Sequence, residues 1–60
     1  MSPARFKAIR QALGWSAAKM GQEMGVHGVS IFRWENGTRA VEGPAAKLAE
    51  RIALDHNLDI

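Results

Sequence analysis

Residues that start helices and residues that stop them alternate along this sequence, and the intervals between them leave room only for short helices. Ser2-Pro3 opens the pattern, with serine as a cap and proline at a first helical position, where its missing N–H costs nothing. Phe6, Ile9 and Leu13 then recur at helical spacing and Gly14 supplies the stop, which predicts a helix over 3–13. Ser16 caps again, Met20 and Met24 share a face, and Gly25 ends a second helix over 17–24. In the next segment Ile31 and Trp34 share a face, so a third helix is predicted over 28–36. Gly28 and two β-branched residues make it intrinsically weak, and His27 is a poorer cap than serine, so its helicity must be imposed by packing. Asn36-Gly37 fits either a hairpin turn or a helix end with glycine in the left-handed region; no alternating strand flanks it, which favours the helix end. Gly43-Pro44 restarts a helix over 44–54, with Ala45, Leu48, Ala49 and Ile52 on its buried face. Residues 55–60 read equally as a tail or as the first turn of a fifth helix.

The predicted core is Phe6, Ile9, Leu13, Met20, Met24, Val26, Ile31, Trp34, Leu48 and Ile52. A chain of 60 residues buries only about 60% of its unfolded surface, and without cysteine it has neither disulfides nor thiolate metal sites to staple it. Packed helices in one domain spanning 1–60 must therefore carry the stability. His27 and His56 lack the pairing of a histidine metal site, so no metal is expected. No apolar run follows Met1-Ser2-Pro3-Ala4-Arg5, so neither a secretory nor a membrane-spanning segment is expected. Residues 1–40 carry six cations against two acids, whereas residues 41–60 carry two against four. That asymmetry suits a polyanion-binding surface with its opposite end turned away, and it suits ordinary solvated charge equally well. Three short motif matches carry no weight. Gly21 to Gly25 is too polar for a membrane dimerisation motif, Gly25-Val26-His27-Gly28 has no strands around it for a single-strand clamp, and Asn36-Gly37-Thr38 follows no signal peptide.

Residues 16–37, from the Ser16 cap through Gly21, Gly25 and Val26 to Trp34-Glu35-Asn36-Gly37, resemble the helix-turn-helix of the lambda-repressor/Cro-like (XRE) family. Gly21 falls at that family's small position, Gly25 at its turn glycine, and Met20, Met24, Val26, Ile31 and Trp34 at its buried positions. The first helix and the Gly43-Pro44-Ala45-Ala46 restart extend the likeness over nearly the whole chain. The resemblance implies an all-α fold, a compact four- to five-helix bundle with a helix-turn-helix. It implies a small transcriptional regulator without cofactor or metal, most simply a repressor or autoregulator. Such a protein binds double-stranded DNA at a palindromic operator as a homodimer, in the cytoplasm of a prokaryotic cell, and can be encoded by a phage or mobile element. The third helix becomes the recognition helix, with His27, Gly28, Val29, Ser30, Phe32 and Arg33 at base-reading positions. Ser16, Ala17, Ala18 and Lys19 on one side and Asn36, Gly37, Thr38 and Arg39 on the other fall at phosphate-contacting ones. An arginine at Arg10 is expected to pair with Glu35 and tie the first helix to the third. Subunit contacts are expected from Leu58, Ile60 and the loop after Gly37.

Two departures from the family pattern matter. Ala17 stands where a glutamine usually touches a phosphate, and Gly28 and Val29 offer no side-chain hydrogen bond, which shifts readout to apolar contact, such as Val29 on a thymine methyl, or to His27, Ser30 and Arg33. Arg33 is able to grip guanine through two hydrogen bonds, to touch a phosphate, or to form a surface salt bridge. Phe32 lies off the Ile31 and Trp34 stripe, open to DNA or to a subunit contact. Trp15, just before the Ser16 cap, is expected to pack against Met20 or the core rather than stack on a base. Serines, histidines and acids on such short helices assemble no nucleophile with its base, so an enzyme is not expected. The rival reading is a protein-interaction module, or an antitoxin-type regulator with a protein partner, using the Phe32 face.

Overall fold

Ser2 Oγ accepts a hydrogen bond from the Arg5 amide at 3.1 Å, and Pro3 opens the first turn of α1 (Pro3–Leu13). The computed structural model describes residues 1–59, so Ile60 and the contacts expected of it lie outside the described residues. Three further helices follow: α2 (Ala17–Met24), α3 (Gly28–Glu35) and α4 (Gly43–Asp55). The chain is all-α, with no strand among the described residues. Among those residues it has four helices rather than five.

Three of the helices end in the same way. After α2, Gly25 takes a left-handed φ of 73°, its amide reaches Gln22 O, and the Val26 amide reaches back to Gly21 O at 2.9 Å. A residue with a side chain in that conformation is strained, so glycine is the natural stop. Gly14 closes α1 alike. At the end of α4 the left-handed position goes to Asn57, with φ 56°, and the Leu58 amide donates to Ala53 O at 2.9 Å. Asparagine tolerates this conformation better than most residues. The reversal makes residues 56–59 a turned tail, Asp55 being the last residue of α4, and it lays Leu58 half-buried against the core.

Phe6, Ile9, Met20 and Ile31 are fully buried, and the Phe6 ring meets Trp34 edge to face at 5.5 Å. Such a ring pair adds about 0.5–1.5 kcal/mol beyond the area it buries. Ala49 is buried, as its place on the predicted face of the fourth helix implies. The rest of the core departs from expectation in an orderly way: Ala17, Val41 and Ala53 are buried, Leu13, Val26 and Ile52 are only partly so, and Leu48 is exposed. On α4 the alanines Ala49 and Ala53, one turn apart, face inward and permit close approach, which swings Leu48 toward solvent. Val41 is held in place as the Met1 ammonium donates to its carbonyl at 3.2 Å.

An ion pair joins α1 to α4: Arg5 donates through Nε and Nη2 to the two carboxylate oxygens of Glu50, at 2.8 and 3.0 Å. Those hydrogen bonds hold the Glu50 carboxyl below its ordinary value of 4.5. Because the folded value is the lower one, Glu50 stabilises the fold above its unfolded pKa, and that contribution disappears as pH falls through the folded value. Urea midpoints of the native chain and Glu50→Gln should therefore differ at pH 7 and converge as the pH is lowered through the acid range. A constant offset would show that the charge is immaterial.

Candidate nucleic-acid interface

The α2 and α3 backbones meet at Gly21. A Cβ built there would lie 2.7 Å from Val26 O, 3.2 Å from Gly28 N and 3.3 Å from His27 C, all backbone atoms of the turn and of the start of α3. Only glycine allows the turn to lie this close over α2, and the turn sets the angle at which α3 leaves. Behind this pair, Arg10 reaches from α1 to three acceptors. Its Nε and Nη2 donate to Glu35 at 2.6 and 3.0 Å, and its Nη1 donates to Trp15 O at 2.9 Å. The pair is largely withdrawn from water, at 17% and 8% side-chain exposure, and the hydrogen bonds to Glu35 raise the guanidinium pKa further above its ordinary value. One side chain thereby ties α1, the loop before α2 and the last residue of α3.

Packing imposes the helicity of α3, as its sequence requires. Ile31 and Trp34 are buried, and Glu35 is held by Arg10. His27 proves a working cap, its Nδ1 accepting from the Val29 amide at 3.2 Å. The opposite face is open: Val29 is 46% and Phe32 60% exposed, and Arg33 is exposed too. Arg33 has no ion-pair partner among the described residues, so the intramolecular salt bridge weighed for it does not form. Gly28 and Ser30 are half-buried on the flanks of this face.

On the N-terminal side, Ser16 Oγ accepts from the Lys19 amide at 3.0 Å. Ala17 is buried, so its methyl belongs to the core and leaves at most its backbone for an anion. Lys19 pairs loosely with Glu23 at 3.4 Å and lies over the Trp15 ring, whose edge meets His56 at 5.4 Å. Trp15 is thus engaged within the fold, although its His56 partner was not foreseeable from neighbouring residues. An open groove between the starts of α2 and α3 is lined by Ser16, Ala18, Lys19, Gln22, His27 and Gly28, among others. Gln22 is the residue the sequence reading missed here; it sits one helical turn beyond Ala18, and that spacing could have found it. On the C-terminal side Gly37 has φ 80°, Asn36 Oδ1 accepts from the Thr38 amide at 2.9 Å, and Arg39 stands exposed without an ion-pair partner among the described residues. Among those residues, no helix is long and apolar enough to cross a membrane.

A helix crossed closely from behind by its predecessor, with one face packed and the other bare, is the arrangement of a helix-turn-helix protein. The helix-turn-helix family model matches residues 6–54, and the chain belongs to that family, of the XRE or lambda-repressor type, whose members are DNA-binding regulators. No curated protein and no solved structure matches the chain.

Proposed function

We propose that this chain is a sequence-specific repressor or autoregulator that binds a palindromic double-stranded DNA operator as a homodimer in the cytoplasm. The observation that carries the proposal is the bare Val29, Phe32 and Arg33 face of α3, held rigid from behind by the Gly21 crossing and the Arg10 and Glu35 pair. A helix presented this way fits the major groove, α3 making the base contacts. Ser16 to Lys19 and Asn36 to Arg39 flank it where phosphates run, with backbone N–H groups at the start of α2, near Ser16 to Ala18, and the side chains of Lys19 and Arg39. One domain of this size covers half a site, and two copies related by a two-fold axis read both halves about one helical turn apart. Leu58 packs against its own core, and among the described residues Leu48 and Leu54 on α4, 38% and 68% exposed, offer apolar surface for the subunit contact away from α3.

Mobility shifts on operator-sized duplexes, with salt titration and light scattering, test this. Affinity should fall steeply between low and physiological salt, because bound phosphates release counterions, and two protomers should occupy each palindrome. Arg39→Ala should weaken binding to all sequences alike and lower the salt slope by about one, whereas Arg33→Ala should relax preference at one base pair per half-site. A salt response that stays flat would favour the second reading, a protein-interaction surface centred on Phe32, for which that ring's 60% exposure speaks.

A further inference from the structure

At 100° per residue, Phe32 and Arg33 bracket Val29 within an arc of about 100°, and these three side chains form the centre of the exposed face of α3. Their hydrogen-bonding inventory is one-sided. Arg33 carries donors and no acceptor, while Val29 and Phe32 carry neither. Gly28 has no side chain. His27 spends Nδ1 as the acceptor for the Val29 amide, so in that tautomer its other nitrogen, Nε2, bears the proton and donates. The neighbouring acceptors are engaged within the fold: Glu35 receives Arg10, and Asn36 Oδ1 receives the Thr38 amide. Away from that centre, the half-buried Ser30 hydroxyl on the flank and the Gln22 amide across the groove are able to accept. The centre of the face thus offers donors and apolar surface.

Base edges in the major groove differ in what they require. Guanine presents the acceptors N7 and O6, and thymine presents O4 and a methyl group. Cytosine presents an amino group, and adenine an amino group beside its N7 acceptor, and both amino groups need an acceptor. Resting on the DNA-binding reading above, we infer that α3 selects keto bases, gripping a guanine with Arg33 and seating the methyl of an adjacent thymine against Val29 and Phe32. Adenine or cytosine at those positions leaves an amino group facing a side chain that cannot accept from it, which is the costly half of an unmade hydrogen bond. Gly28 leaves the start of the helix without a side-chain contact, and this concentrates the readout on the three residues.

The test is a binding-site selection from random duplexes with the intact chain. Affinities are then measured for the best duplex and for copies carrying deoxyuridine in place of single thymines or 7-deazaguanine in place of single guanines. Deoxyuridine removes only the methyl and should weaken binding about fourfold at the contacted thymine. Loss of N7 should weaken it about tenfold at the contacted guanine. Phe32→Ala should bind the thymine and deoxyuridine duplexes within a narrower margin than the native chain, and Arg33→Ala should lose its response to 7-deazaguanine. Both side chains are exposed, so the melting temperature serves as the folding control, and the base analogues require no variant at all. Enrichment of adenine and cytosine at the contacted positions, or tight binding indifferent to both analogues, would overturn the inference while leaving the DNA-binding reading in place. Failure to enrich any duplex would overturn that reading and the inference with it.

Discussion

Glu35→Ala should destabilise the fold by about 3 kcal/mol, because it strands a guanidinium that the protein has largely removed from water. Arg10 would keep its bond to Trp15 O but lose two charge-assisted hydrogen bonds, with too little exposure to replace them with solvent. Folded domains have roughly 0.05–0.15 kcal/mol of stability per residue, so a loss of this size is a large part of what a chain of 60 residues holds. A drop of more than about 10 °C in Tm is expected. Glu50→Ala is the informative comparison. Glu50 too is paired, since it accepts both ends of the Arg5 fork. The pair nonetheless sits at 37% and 44% side-chain exposure, where water readily takes over from a lost partner, so its removal should cost clearly less. Thermal unfolding followed by circular dichroism decides the matter, and equal melting temperatures for the two variants would refute the ranking.

Gly21→Ala should be the most damaging single-methyl change in the chain. Helix propensity favours alanine over glycine by about 1 kcal/mol, so a net loss there must come from the 2.7 Å encounter with Val26 O. No rotamer change relieves a clash with backbone. The turn must lift, and with it the start of α3. A loss of about 1–3 kcal/mol is expected, with a drop in DNA affinity larger than the loss of folded protein explains, since α3 would leave α2 at a different angle. Gly28→Ala supplies the control at the same junction, because its added methyl would meet α2 backbone at an ordinary 3.6–3.8 Å. That variant should be neutral or slightly more stable. If both alanines behaved alike, the close crossing would not be what orients α3.

The parts of this fold that sequence reasoning reached are those set by local chemistry. The Ser2 and Ser16 caps and the Gly14 and Gly25 stops act within a turn of their own position, so the bounds of α1 and α2 could be read directly. The large apolar residues Phe6, Ile9, Met20, Met24, Ile31 and Trp34 announce a buried face by their spacing. Ala49 lies on the face the spacing marks as buried, but the inward turn of Ala53 at the expense of Leu48 depends on how closely α4 approaches its neighbours. Arg5 with Glu50 and Trp15 with His56 are likewise partnerships between distant segments, visible only once α4 has docked. The exposure of Val29, Phe32 and Arg33 was legible from their place off the Ile31 and Trp34 stripe. The surroundings of their neighbours were not: the capping role of His27, the half-burial of Ser30 and the recruitment of Ala17 into the core all follow from tertiary contacts.

Val29, Phe32 and Arg33 touch solvent, whereas Ile31, Trp34 and Glu35, interleaved with them along the same eight-residue helix, hold it in place. Inheritance can therefore act on the two sets separately. Lineages descending from this chain can exchange the outward trio, and with it the surface that α3 presents, without jeopardising the scaffold that holds it. A duplicated copy could acquire a new target through two or three codon changes, while drift at the inward trio would be purged before any new target could be tried.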